Sequence, residues 1–330
     1  MDRSNSLEPH TADGRFGRWL RGTLQAVGIE GENTSFTSEL TPSTTQALTL
    51  LRLLVGLVML YDAWGSLSWS HKTEMASFLG VGMESAWVAL VVAGVSFLKI
   101  AIAASMLSGR GVTKLGWAGF FYGLFVWIAI EHGGDFGQDA TDPGVGLAYI
   151  ILFLFVIGAE RLRSDPDLSH NEILAFARVL FGLLWAYDAT LKLQPYFLDH
   201  YLDYLTAAQK DVAGTWQASY DQIWIVLSQA VGPQLVAWLV ALTEAAIAIS
   251  LFSGRWLRVF GPVGLGLSFV IWSTAEEWGG PYSMGIASMM PMRLFGMAVI
   301  YLLTFFYVWA FYNPLDLLNR SRAAVLSEAK

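Results

Sequence analysis

The chain is expected to be an all-α integral membrane protein, with eight transmembrane helices arranged as two parallel-repeat four-helix bundles. Three observations point there. Of its 330 residues, 55% are hydrophobic and only 14% charged, and the mean hydropathy of +0.48 is too apolar for an ordinary soluble surface. Apolar runs of about 20 residues, the length a helix needs to cross roughly 30 Å of hydrocarbon, recur along the chain. Stretches of the first half also reappear in the second.

The apolar runs place spans near 46–68, 84–107, 115–131, 145–162, 172–191, 222–251, 259–275 and 291–312. An even number of spans puts both termini on one side. Basic residues choose that side. The tails and even-numbered turns carry Arg15, Arg18, Arg21, Arg110, Lys114, Arg161, Arg163, Arg255, Arg258, Arg320 and Arg322, whereas the opposite loops carry Lys72, Lys192 and Lys210. Both termini are therefore expected in the cytoplasm, in a multi-pass protein of the cell membrane. The opposite loops are acidic, as in Glu131 through Asp142 and in Glu276-Glu277.

Residues 1–45 contain no apolar core ending in a small-residue cleavage site, so they read as a cytoplasmic tail rather than a secretory signal. Phe16, Trp19, Leu20, Leu24 and Val27 recur at helical spacing opposite Arg15, Arg18 and Arg21. That pattern fits a short amphipathic helix on anionic headgroups, or an irregular tail with chance periodicity. Residues 31–45 read as a linker. The expected units are then 46–165 and 166–315, followed by a C-terminal tail at 316–330.

Composition also excludes whole classes of chemistry. A net charge of -7 offers no basic stripe for nucleic acid. The absence of cysteine rules out disulfides, cysteine-ligated iron–sulfur clusters, thiolate nucleophiles and covalent c-type haem within this chain. The five histidines, His10, His71, His132, His170 and His200, fall in tails, loops or helix ends, which argues against an intramembrane bis-histidine haem. No haem, iron–sulfur or flavin motif is visible.

The repeat is the strongest signal. Arg52-Leu-Leu-Val-Gly-Leu-Val-Met-Leu-Tyr-Asp62-Ala63 recurs as Arg178-Val-Leu-Phe-Gly-Leu-Leu-Trp-Ala-Tyr-Asp188-Ala189. The second helices both end in Ser-Gly-Arg, at Arg110 and Arg255, and the third helices carry Trp127…Glu131 and Trp272…Glu276. The offset is 126 residues at the first helix (178 minus 52) and 145 at the second and third (255 minus 110). The second unit thus holds an insert, within 192–222, where Tyr196, Phe197, Tyr201, Leu202 and Leu205 recur at helical spacing, so an external helix is expected there. Four spans per unit give the copies one orientation, a parallel repeat.

With Arg opening its first helix, Gly one turn on, an ionisable residue inside its second and a Ser-Gly-Arg turn, the unit resembles the DoxX/DoxD family. The resemblance covers roughly 46–162 and 172–312. It implies a membrane subunit similar to that of thiosulfate:quinone oxidoreductase, with quinone as substrate, the quinone pool and lipid as surroundings and a second redox subunit as a candidate partner. The family commonly carries Glu at the second-helix position. Glu244 fits that pattern, and Lys99 departs from it.

Charge inside a bilayer costs roughly 2.5–3.5 kcal/mol at mid-depth, so each such residue demands a reason. Lys99 and Glu244 lie nine residues before the Ser of their turns, about 13 Å along the helix and hence near mid-membrane. As repeat equivalents of opposite charge they are expected to face one another, as a structural or a proton-handling pair. Asp62 and Asp188 lie in the outer half, each after a Tyr, either handling protons or bonding a neighbouring helix. Arg52 and Arg178 lie near the cytoplasmic boundary, suited to lipid phosphate or helix-end carbonyls. Glu131 and Glu276 share helix faces with Trp127 and Trp272, a titratable carboxylate beside an aromatic plane that suits a quinone ring. Tryptophan is equally an interfacial anchor. His132 is a candidate relay or a surface histidine. Lys192 and Arg293 are candidates for binding a small oxyanion such as thiosulfate, or for pairing with Asp188 or Glu276. Met284, Met289, Met290, Met292 and Met297 would suit Cu(I), but methionine also fills gaps in helical packing, and no metal is assigned.

The reading that results is a membrane subunit coupling oxidation of a small sulfur compound to quinone reduction. Asp62, Asp188, Glu131, Glu276, Glu244 and Lys99 are its candidate catalytic groups, and Arg293, Lys192, Trp127, Trp272 and His132 its candidate binding groups. A non-catalytic scaffold of a redox complex and a small-solute transporter are the alternatives.

Overall fold

The computed structural model describes residues 42–67, 69–134, 140–164, 172–279 and 296–311, and among these all regular structure is helical. In chain order the helices are α1 (Pro42–Gly65), α2 (Trp69–Leu79), α3 (Ala86–Ser108), α4 (Val112–Phe125, extended by a π-turn over Val126–Ile130) and α5 (Val145–Ser164). There follow α6 (Glu172–Lys192), α7 (Pro195–Asp211), α8 (Trp216–Val231), α9 (Pro233–Ser253), α10 (Leu257–Ser273) and α11 (Ala298–Phe311).

Six of them, α1, α3, α4 with its π-turn, α5, α6 and α9, are long and apolar enough to cross a membrane. Their surroundings differ. Only 39% of the apolar window is buried in α3 and α9, where Leu90, Phe97, Leu242 and Ile249 point outwards, a surface suited to lipid rather than water. In α5 the buried share is 83%. A helix that is apolar on every side and also enclosed on every side is the centre of a bundle.

Local chemistry sets the ends. The Ser85 hydroxyl accepts the Trp87 N–H at the start of α3, and Gly109, at φ 73°, closes it in the left-handed conformation that glycine adopts at low cost. The span expected over 222–251 is in fact two helices, α8 and α9. Gly232 sits at φ 105° and Pro233 has no N–H to continue α8, whereas at the first turn of α9 that loss is harmless. Helix α2, too short and polar to stand out as an apolar run, packs Met75 and Ala76 on Val88 and Val92 of α3. The helix expected in the 192–222 insert is α7, which turns Phe197 and Leu198 towards Ala237 of α9. The regions expected to span at 259–275 and 291–312 contain α10, of 17 residues, and α11, of 14.

Helices pair as α1 with α3, α4 with α5, α6 with α9 and α10 with α11. Contacts of α5 with α6, α11 with α1 and α5 with α11 join these pairs around one continuous apolar core. Two close approaches depend on glycine. A Cβ on Gly119 of α4 would lie 2.4 Å from the Phe153 ring of α5, and one on Gly264 of α10 would lie 2.1 Å from the Phe305 ring of α11. Both rings are fully buried and have nowhere to retreat. Gly119→Ala and Gly264→Ala should each cost about 1–3 kcal/mol by overpacking, measured as a lower melting temperature in detergent. Pairing each with Phe153→Leu or Phe305→Leu should recover part of the loss. Strictly additive losses would show that the rings are not what the glycines accommodate.

Candidate functional site

The first buried polar cluster lies between α1, α3 and α5. Asp62, near the C-terminal end of α1, and Lys99, midway along α3, form an ion pair of 2.9 Å with both side chains fully buried. The Lys99 ammonium also donates to the Ser66 hydroxyl at 2.6 Å and lies over the Tyr122 ring, 5.1 Å from its centroid. The Tyr149 hydroxyl of α5 donates to Asp62 Oδ2, and Ser66 in turn donates to the Asp62 carbonyl at 3.0 Å. A charge so far from water is tolerable only with an opposite charge and further hydrogen bonds around it.

The second cluster lies between α6, α9, α11 and the loop at 140–144. Lys192 and Glu244 form an ion pair of 3.1 Å, and Lys192 donates to the Thr141 carbonyl at 3.0 Å. Asp188, buried one turn before Lys192, interacts electrostatically with both Lys192 and Glu244. The Tyr301 hydroxyl lies beside Asp188 without meeting hydrogen-bond geometry. The expectation that Lys99 and Glu244 pair with each other is therefore corrected. Each instead finds its partner on the first helix of its own unit, because α1 packs on α3 and α6 on α9. Lys192 is likewise paired, with Glu244 rather than with Asp188 or Glu276 as its hydrogen-bonded partner.

Glu131 and Glu276 do a different job. After each third helix the chain makes the same wide turn. The Glu131 and Glu276 N–H groups reach back five residues to the carbonyls of Val126 and Ile271, and the next residues, His132 and Glu277, both take φ 52°. This folds the carboxylate over the start of the following helix. Glu131 accepts the N–H groups of Val145 (2.8 Å) and Gly146 (3.0 Å), while Glu276 accepts those of Met297 (2.8 Å) and Ala298 (3.0 Å). Carboxylates placed there satisfy N–H groups that a helix leaves unpaired and complement its dipole. His132 belongs to this turn as a left-handed residue. The Trp272 indole donates to the Gly279 carbonyl at 2.6 Å, closing the same turn, and Trp127 packs into the core with its N–H buried.

Arg52 and Arg178 lie against the glycines of the Ser-Gly-Arg turns. A Cβ on Gly109 or Gly254 would come within 2.6 or 2.3 Å of their Nη1 atoms. They thus stand at the C-terminal ends of α3 and α9, where the helix dipole favours a cation. Arg293 and Met284, Met289, Met290 and Met292 lie outside the described residues, as does the N-terminal segment around Trp19, while Met297 is buried in the core. Among the described residues no group of three or more histidine or acidic side chains is placed to hold a metal.

Several contributors were not singled out from the sequence. Ser66 stands at the 126-residue offset from Lys192, and Tyr149 and Tyr301 each precede a core phenylalanine, Phe153 and Phe305, by four residues. Extending the repeat alignment through those positions would have found all three. Gln217 of α8 binds Asp221 (2.8 Å) and the Ser273 carbonyl (2.6 Å) and accepts from Trp278 (2.9 Å), tying the insert to the end of α10. Burial pushes Asp221 up to about 7. At the 145-residue offset Gln217 and Asp221 fall on Lys72 and Ala76, so no repeated residue reveals this network.

No family model, curated protein or solved structure matches the chain.

Two predictions follow from this geometry. Lys99→Met leaves Asp62 as a buried charge without its partner and should cost about 3–5 kcal/mol, whereas Asp62→Asn/Lys99→Met should recover much of that. Lys99→Met combined with Glu244→Gln should be additive within about 0.5 kcal/mol, since the two residues belong to separate pairs. Strong coupling in the second cycle would refute the pairing. The other concerns pH. Burial pushes Glu131 up to about 7 and Glu276 to about 8, from 4.5, although their backbone hydrogen bonds pull downwards. The folded chain then holds protons that the unfolded chain releases, so these two groups make stability fall as pH rises from about 4.5 to 8. Melting temperatures of Glu131→Gln/Glu276→Gln should decline less over that range than those of the unsubstituted protein. Equal slopes would contradict this.

Proposed function

We propose that the chain is a DoxX/DoxD-like membrane subunit, built of two parallel four-helix units with eight spans and cytoplasmic termini, that reduces a quinone with electrons from a small sulfur compound such as thiosulfate. The observation that carries the reading is the second buried cluster. Lys192, Asp188, Glu244 and Tyr301 place an ammonium, two carboxyls and a phenol together among apolar helices, where a lipid-soluble quinone partitions. Joining two thiosulfate anions through an S–S bond releases two electrons. A quinone that takes those electrons needs two protons to become the quinol, and this cluster is equipped to hold and pass them. Electrons travel directly between the substrates or through a second subunit, since the chain has no internal redox motif. With Lys192 engaged, the oxyanion role falls to Arg293.

The parallel arrangement is supported by contacts that recur in the second half, at offsets of 126 residues in the first helix, 145 in the second and third and 152 in the fourth. Arg52 on Gly109 matches Arg178 on Gly254, Gly119 on Phe153 matches Gly264 on Phe305, and Glu131 at Val145 matches Glu276 at Met297. One observation favours a second reading, a non-catalytic assembly subunit. The carboxylates expected beside a quinone ring, Glu131 and Glu276, are committed to helix ends.

The assay uses the purified chain in lipid nanodiscs with thiosulfate and a short-chain quinone, and follows quinol formation. Turnover is expected, reduced at least tenfold by Tyr301→Phe and Glu244→Gln. A folded, monodisperse preparation without thiosulfate-dependent reduction would leave the assembly reading in its place.

A further inference from the structure

The two buried clusters use the same four sequence positions and fill them differently. Asp62 corresponds to Asp188 and Ser66 to Lys192 at the 126-residue offset (188 minus 62), Lys99 to Glu244 at 145 (244 minus 99), and Tyr149 to Tyr301 at 152 (301 minus 149). In the first cluster the lysine stands on the second helix and the position facing it on the first helix is a serine, which accepts its hydrogen bond. In the second, the lysine has moved to the serine's position and a glutamate holds the one it left. In both clusters a buried ammonium thus stands between these two helices beside a carboxylate, carried by one helix in the first and by the other in the second.

The exchange is not charge-neutral. The first cluster has one carboxyl for one ammonium, and the second has two. We propose that the second cluster, Asp188–Lys192–Glu244–Tyr301, is a proton-exchange site opening through Asp142, whereas the first is a closed structural pair.

The hydrogen bonds differ accordingly. In the first cluster the ammonium and the phenol both donate to Asp62, and only its Oδ1 is left without a partner. In the second, Asp188 Oδ1, Glu244 Oε2 and the Tyr301 hydroxyl beside Asp188 meet no hydrogen-bond geometry among the described residues although buried. Unpaired polar atoms at such depth are expensive, and a proton shared among them supplies the missing donor. Lys192 links this interior to the outside. Its ammonium donates to the Thr141 carbonyl, and the next residue, the half-buried Asp142, lies within electrostatic reach of Asp188, Lys192 and Glu244. The other groups facing the cluster are the Phe197 ring of α7, 6.0 Å from the Lys192 ammonium, and Glu276, which is held by the start of α11. From the α5–α11 side, the described groups acting on Asp188 are the Asp142 carboxyl and the Tyr301 phenol. A proton thus passes between Asp188 and Glu244 across Lys192 and leaves through Asp142. No bond other than O–H or N–H forms or breaks.

This deepens the proposed function, since such a site would supply the protons of quinone reduction, but its test contains no quinone. Infrared pH titration in nanodiscs, in a Glu131→Gln/Glu276→Gln/Asp221→Asn background that removes the other carboxyls pushed up to about 7 or 8, should show a protonated-carboxyl C=O band that is lost reversibly as pH rises. Asp188→Asn or Glu244→Gln should abolish it, and Asp62→Asn should not. Ser66→Lys/Lys99→Glu, which rebuilds the first cluster in the pattern of the second, should add a second titrating band. Labelling the unsubstituted protein with a hydrophobic carbodiimide, which attacks protonated carboxyls, should modify Glu244 or Asp188 and decline as pH rises, so the idea stays testable if a variant fails to fold. No titrating band, a band lost with Asp62→Asn instead, or labelling of Asp62 alone would overturn the proposal. A titrating band in a protein that never reduces quinone would sink the redox reading and leave the exchange site standing.

Discussion

Charge buried among apolar helices has to be neutralised where it lies, and in this protein that requirement fixes which helices touch. Lys99 and Glu244 stand midway along helices whose outer faces suit lipid, and both side chains are buried. Each is matched from the first helix of its own unit, by Asp62 and Lys192, and these matches fall on the close packing of α1 with α3 and of α6 with α9. Tyrosines from α5 and α11, the helices at the centre of the molecule, complete both sites. The polar sites therefore lie where the pairs of each unit meet the shared core.

A second device holds the fourth helix of each unit in place without any charge of opposite sign. The π-turn and the left-handed residue after it swing Glu131 and Glu276 onto the bare N–H groups of α5 and α11. This orders the helix that carries the tyrosine, so the turn acts on the polar site through the position of Tyr149 or Tyr301. The positive φ at His132 and Glu277, unusual for residues with a side chain, is the backbone cost of that placement.

The two halves of the sequence repeat differ most at their buried charges. Turns, glycine contacts and helix-capping carboxylates recur position for position, but the lysine of the buried cluster has changed helix and the second site has gained an acid. The insert bearing α7 and α8 packs on the same unit, with the Gln217 network tying it to the end of α10. The added helix α7 and the excess acid thus fall on one half of the chain, the half in which the exchange site is proposed.

Composition, apolar runs and self-similarity determined the helical membrane class, the existence of the repeat and the positions of Asp62, Asp188, Lys99, Glu244, Glu131 and Glu276, because burial and periodicity are written residue by residue. They also implied the helix α7 from spacing alone. Partners were another matter. Lys99 and Glu244 are equivalent in sequence and opposite in charge, yet equivalence within a repeat gives a residue's place in its own unit and not the neighbour it meets. The neighbour is chosen by helix packing, which set Asp62 and Lys192 beside them. The break at Gly232–Pro233 was legible in those two residues and was masked by the apolar run across it. The capping role of Glu131 and Glu276 was not legible, since it arises from a five-residue backbone reach and a left-handed turn, geometry that exists only once the following helix has docked.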